Sequence, residues 1–191
     1  MNKPRNNLRN LKIIVYCIVE GINNVTETKM LRGLSKDQQK YCFKIFPSHP
    51  DINHMYSLAT SKASLCKKDD FVAILIDSDS VSNPTRLSNI ITANEKNKNK
   101  KIRFFVSDPC FENYIFSFFQ KASKEKDSKK MGNLVSRYIP HYMKCDDCNY
   151  YVRLPQREKS VDHKKAISNY RIGIGKKSYY TIADFFELII S

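Results

Sequence analysis

FVAILIDSDS, residues 71–80, joins an uncharged apolar run to two aspartates that are spaced one residue apart. Residues 71–76 are typical of a strand that is buried in a sheet. Asp77 and Asp79 then follow, and two like charges at the end of a buried strand must be stabilised. A turn or a helix cap would satisfy them. A divalent cation held between the two carboxylates would do so as well.

Three further apolar segments predict strands of the same sheet, and helical patterns lie between them. The strands are LKIIVYCIVEG, which ends at Glu20 and Gly21, YCFKIF at 41–46 and KIRFFVSD at 101–108. The helices are expected over 26–40, from about residue 53 to 66, and from Pro84. Strands that alternate with helices predict a mostly parallel sheet flanked by helices, which is a Rossmann-like α/β fold.

The C-terminal part of the sequence predicts helices without further strands. A strongly apolar helix follows Pro109, and weaker helical patterns cover 131–143, 161–172 and 180–190, with Pro155, Gly173 and Gly175 placed in loops. We therefore divide the chain into three parts. These are a flexible basic N-terminus (1–10), an α/β core (11–122) and a helical C-terminal part (123–191) that packs on the same domain.

Charge and composition favour a nucleic-acid partner. The 191 residues include 33 Lys and Arg against 19 Asp and Glu, which gives a net charge of +14. Such an excess indicates a polyanionic partner, although an AT-rich genome would also enrich lysine and asparagine. No apolar run reaches the ~18 residues of a membrane span, and no signal peptide is recognisable. The sequence thus predicts a cytoplasmic protein with reduced cysteines and no membrane contact.

Acidic residues follow three of the four predicted strands. They are Glu20, the pair Asp77 and Asp79, and Asp108 with Glu112 close behind. Ligands of parallel α/β folds bind at the carboxyl ends of the strands. Carboxylates that meet there without cations of their own favour a hard ion such as Mg²⁺ or Mn²⁺. Glu20, Asp77 and Asp79 are the predicted metal ligands, and Glu20 is alternatively a general acid/base acting on a phosphodiester.

Two other motifs are less informative. HYMKCDDCNY contains Cys145 and Cys148 at the spacing of a zinc site, but no second pair of ligands accompanies them, so two unpaired thiols are the favoured interpretation. RIGIGKK (171–177) lacks the preceding strand and the spacing of a P-loop. Contact with a backbone phosphate remains open for that segment.

Four segments together resemble the TOPRIM domain and, within that group, RloB-like proteins. They are VEG (19–21), TET (26–28), DSD (77–79) and SDPCFENYIFSFF (107–119). YMKCD (142–146) and SYYTIADFFELI (178–189) are similar to the Tyr-x-Lys segment and the C-terminal helix of that family. The resemblance covers residues 11–190. Val19 stands where the family has cysteine, and Thr28 replaces a proline, which leaves the role of Glu27 open.

The resemblance implies a TOPRIM fold and a Mg²⁺-dependent nuclease of restriction or anti-phage defence, with a possible partner protein from the same system. It implies that Glu20 is a general acid/base or metal ligand, that Asp77 and Asp79 bind the ion, and that Glu112 is an added acid. Lys144 would contact phosphate, or else is a solvated surface lysine. Two alternatives remain: a non-catalytic module that binds nucleic acid or a partner, and an enzyme acting on a nucleotide. The choice between DNA and RNA and the oligomeric state stay open.

Overall fold

A computed structural model of the chain describes residues 12–20, 26–37, 39–78, 84–97, 99–139, 142 and 163–190. Within these residues, strands and helices alternate as the sequence predicts. The elements in chain order are β1 (Ile13–Glu20), α1 (Thr26–Asp37), β2 (Tyr41–Ser48), α2 (Ile52–Ala63), β3 (Phe71–Asp77), α3 (Pro84–Lys96), β4 (Ile102–Ser107), α4 (Phe111–Phe116), α5 (Ser128–Ser136), α6 (His163–Ile174) and α7 (Ile182–Ile190).

The four strands form one parallel sheet in the order β2-β1-β3-β4. Val19 of β1 pairs with Leu75 of β3, and Asp77 of β3 pairs with Ser107 of β4. The carboxyl ends of β1, β3 and β4 therefore lie side by side at one edge of the sheet. This confirms an α/β fold with a parallel sheet, and it places the acidic strand ends together.

Both faces of the sheet are covered by helices. Alternate residues of each strand point to opposite faces, so each strand contributes side chains to a hydrophobic cluster on either side. Val15, Cys17 and Val19 of β1 join a hydrophobic cluster with residues of α1 and of α4 to α7. Tyr16 and Ile18 join a second cluster with residues of α2 and α3. Helices from the C-terminal part thus pack against the sheet directly, whereas the division of the chain at residue 122 stays a prediction.

Several predicted boundaries are wrong. β2 continues through Pro47 and Ser48, which we assigned to a turn; an edge strand tolerates proline because one of its sides has no ladder to complete. α4 ends at Phe116 instead of near residue 122, since Asn113 bonds both the N–H and the C=O of Ser123 and turns the chain back. α5 begins at Ser128, three residues before the helical pattern predicted at 131–143, because Asp127 caps its first turn.

Two further features bear on the expected environment of the protein. No described helix has both the length and the apolar character that crossing a membrane requires. None of the described cysteines, namely Cys17, Cys42, Cys66 and Cys110, takes part in a disulfide. Residues 1–10 lie outside the described part of the chain, so the predicted flexible N-terminus stays a prediction.

Candidate active site

Glu20, the last residue of β1, reaches across to the end of β3. Its Oε2 accepts a hydrogen bond of 3.0 Å from the backbone N–H of Asp77 and forms an ion pair with Arg86 of α3. The Glu20 and Arg86 side chains are only 16% and 15% exposed. The first predicted site residue is therefore attached to the strand end that carries the second.

Asp77 is buried at the last position of β3, next to Ser107 of β4. Its backbone N–H donates to the Glu20 carboxylate, so the two residues are in contact at the carboxyl ends of β1 and β3. Together they supply carboxylate oxygens, the ligands that Mg²⁺ and Mn²⁺ prefer. Among the residues described, no three His, Cys, Asp or Glu side chains form a metal cluster. The third predicted ligand, Asp79, lies outside that set. Glu20 contacts Asp77 through the backbone N–H of Asp77 and not through its carboxylate, so a metal ion shared by these residues stays a prediction.

Asp108 follows β4 and is enclosed by polar groups from three parts of the chain. Its side chain is 3% exposed; Oδ1 accepts from Lys126 at 3.1 Å and from the Ser78 hydroxyl at 3.2 Å, and Oδ2 pairs with Lys177. Its backbone N–H donates to the Tyr170 hydroxyl oxygen of α6 at 2.7 Å. Burial alone would raise the pKa of Asp108, but hydrogen bonds and charges from Lys177 and Lys126 outweigh it, so the pKa lies below its ordinary value of 3.8.

Glu112 sits in the first turn of α4 and is buried. Its Oε1 accepts a hydrogen bond of 2.7 Å from the hydroxyl of Tyr142. The neighbouring Asn113 donates through its amide to the backbone carbonyl of Asp108 at 2.8 Å, which ties the start of α4 to the end of β4. Glu112 is thus connected to the carboxyl end of β4 through the neighbouring residue of α4 and not through its own side chain. Its role as an added acid stays a prediction.

Comparison with known protein families identifies the family of this chain. A protein-family model described as "RloB-like protein" matches residues 15–178, which is most of the chain. The chain belongs to the RloB-like family. Neither the curated proteins nor the solved structures gave a significant match. The matched span of this RloB-like protein contains all of β1, β3 and β4 except the first two residues of β1.

The remaining predicted residues of the RloB-like chain divide into two groups. Lys144, Cys145 and Cys148 lie outside the described residues, as does Asp79. Glu27 is described: it is buried in the first turn of α1, directly after the segment that follows Glu20. Its role stays open.

One premise of the sequence argument is wrong. We expected the converging acids to lack cations of their own, but Glu20 is paired with Arg86, and Asp108 with Lys126 and Lys177. These basic residues were missed because they lie far away in sequence, up to 69 positions from their partners. Arg86 stands in the first turn of the helix that follows the Asp-x-Asp pair, but that position does not by itself indicate a contact with Glu20.

We predict that Asp108→Asn weakens the fold at neutral pH but much less in acid. A folded-state pKa below that of the unfolded chain, about 3.9, means that the ionised carboxylate stabilises the native state above that pH and stops doing so as the pH falls through the folded value. Urea unfolding at pH 7 and near pH 3 would measure the difference between wild type and variant. If the difference in free energy of unfolding between wild type and Asp108→Asn were larger near pH 3 than at pH 7, the lowered pKa of Asp108 would be contradicted.

Proposed function

We propose that this RloB-like protein is a metal-dependent nuclease with a TOPRIM-type active site that hydrolyses nucleic-acid phosphodiesters in restriction or anti-phage defence. One observation carries the proposal: Glu20 at the end of β1 is bonded to the backbone of Asp77 at the end of β3. These are the two strand ends on which the resemblance to TOPRIM domains depends. Membership of the RloB-like family supports the same interpretation.

The chain's own residues supply distinct parts of such a reaction. Glu20 and Asp77, with Asp79 two positions further on, would hold Mg²⁺ or Mn²⁺. A bound ion of this kind polarises a phosphoryl oxygen and makes a water molecule more acidic. Arg86 holds the Glu20 carboxylate against the end of β3, where Glu20 would act either as one of these metal ligands or as the general base that accepts a proton from the attacking water. Burial of Asp77 fixes its position, so little reorganisation is needed when the substrate binds.

The excess of basic residues fits a polymeric substrate. A net charge of +14 favours association with a phosphate backbone through counterion release. Binding of this kind weakens steeply as salt increases, whereas binding of a mononucleotide depends on salt much less. The salt dependence of substrate binding therefore separates a nuclease from an enzyme that acts on a nucleotide.

The proposal is tested with labelled single-stranded and duplex DNA and RNA, each incubated with Mg²⁺, with Mn²⁺ or with EDTA. We expect cleavage of at least one substrate with either metal, loss of cleavage in EDTA, and recovery when metal is added in excess. Undiminished cleavage in EDTA would contradict a metal-dependent mechanism. A complete lack of cleavage of all four substrates would contradict the nuclease.

A second candidate is a non-catalytic module that binds nucleic acid or a partner protein. The ion pairs of Glu20 with Arg86 and of Asp108 with two lysines favour it, because they neutralise these acids without any metal. This candidate predicts salt-sensitive binding of nucleic acid with no turnover in any metal. The same incubations, accompanied by binding measurements, distinguish it from the nuclease.

A further inference from the structure

We propose that Lys126 and Lys177 form a binding site for a backbone phosphate of the nucleic acid, beside the edge that carries Glu20 and Asp77. Neither lysine belongs to the acidic strand ends or to the Tyr-x-Lys segment. The inference rests on the proposed function, because it names how the same edge would hold its polymeric substrate.

The two lysines approach one carboxylate from different parts of the chain. Lys126 lies just before α5 and donates to Oδ1 of Asp108 at 3.1 Å, whereas Lys177 lies between α6 and α7 and pairs with Oδ2. Each ammonium group has three N–H donors, and among the described residues each meets one acceptor, the Asp108 carboxylate. Donors therefore remain on both lysines for a ligand.

The charges do not balance within this group. One lysine suffices to neutralise Asp108, so the second leaves a net positive charge. The carboxylate is 3% exposed, while the Lys126 and Lys177 side chains are 46% and 21% exposed. A polyanion that approaches this surface meets the two cations and is screened from the buried acid. A purely structural ion pair would need only one of them.

The lysine pair also lies next to the proposed catalytic edge. Ser78, whose hydroxyl donates to Asp108, directly follows Asp77, and its backbone N–H donates to the carbonyl of Ser107 at 2.8 Å. The cations are thus connected to Asp77 through Asp108 and through Ser78, the residue that follows Asp77. Lys177 in addition lines a surface cleft of about 370 Å³ that is open to a ligand. A phosphate held here would be close to the bond that the edge is proposed to cleave.

The test compares Lys126→Ala and Lys177→Ala with Lys121→Ala, a control that removes the same charge from an exposed position nearby. Affinity for a labelled single-stranded oligonucleotide is measured by fluorescence anisotropy in EDTA over a salt series, and folding is checked by thermal melting. We expect each site variant to bind about three- to tenfold more weakly, with a salt slope shallower by about 0.7. Lys126→Arg is expected to retain the wild-type affinity.

Equal affinities for the site variants and Lys121→Ala would overturn the proposal and leave both lysines as structural partners of Asp108. Displacement of the oligonucleotide by inorganic phosphate at a concentration similar to that of the oligonucleotide would overturn it too, since the site would then bind free phosphate and not a backbone phosphate of a polymer. If the lysine variants lose affinity while the wild type cleaves nothing, the phosphate site stands and the nuclease fails. If the wild type cleaves and the lysine variants match it in KM and Kd, the nuclease stands and the site fails.

Discussion

Replacing Asp77 by asparagine is expected to slow metal-dependent cleavage about a thousandfold, with the fold unchanged. Asparagine keeps the size of the side chain but removes its negative charge, and loss of a metal-holding carboxylate costs several kcal/mol of transition-state stabilisation. The hydrogen bond to Glu20 comes from the backbone N–H of Asp77, so the substitution leaves it in place. Single-turnover cleavage with saturating enzyme would isolate this effect from substrate binding.

The segment just before β3 supplies a matched control for this experiment. Asp69 is exposed there, at the end of β3 opposite to Asp77. Asp69→Asn removes the same charge from a position outside the strand, and we expect the variant to cleave at the wild-type rate. Asp70 would be a poor control, because its carboxylate accepts hydrogen bonds from the backbone of Ile14 and Lys67. Equal rates for Asp77→Asn and wild type would exclude Asp77 from the catalytic site.

The parallel sheet could be predicted because its signal is local. Each strand is a short apolar run. In β3 all seven residues are buried, and the six before Asp77 are apolar, so burial on both faces gives a continuous hydrophobic signal. The acids at the ends of β1 and β3 then follow from the geometry of any parallel sheet. No tertiary information was needed to place Glu20 and Asp77 near each other.

The basic partners of the acids could not be predicted in the same way. Arg86 is 66 positions from Glu20, and Lys177 is 69 positions from Asp108. In a chain with 33 lysines and arginines, no local pattern marks the few that will meet a buried carboxylate. Which cation pairs with which acid depends on how the helices pack, and that is fixed only when the whole fold is formed.

Gly173 shows how a correct residue preference can lead to a wrong prediction. Glycine often ends helices, and with Gly175 nearby we placed Gly173 in a loop. The structure continues α6 through Gly173 to Ile174. The glycine is required by packing instead: Ala122 donates its N–H to the carbonyl of Asn169 at 3.1 Å, which lays the backbone of the segment after α4 directly on α6.

Gly173→Ala is therefore expected to lower the free energy of unfolding by about 2 kcal/mol or more. A Cβ at this position would lie 2.6 Å from the backbone nitrogen and 2.7 Å from the carbonyl carbon of Ala122, and neither can move as a flexible side chain would. Overpacking of this kind costs about 1–3 kcal/mol, occasionally more, and exceeds the ~1 kcal/mol that alanine gains from helix propensity. Thermal melting should show a decrease in Tm of about 4–8 °C.

Gly132→Ala tests whether the loss comes from that contact or from any change of a helical glycine. Gly132 lies inside α5, and among the described residues a Cβ there would meet Cε1 of Tyr142 alone, at 3.9 Å, an ordinary van der Waals distance. Propensity then acts alone, so this variant should be more stable than wild type by about 0.5–1 kcal/mol. Opposite signs for the two substitutions would establish that the approach of Ala122 requires glycine at 173. A stabilising Gly173→Ala would show that α6 and the segment after α4 can separate at little cost.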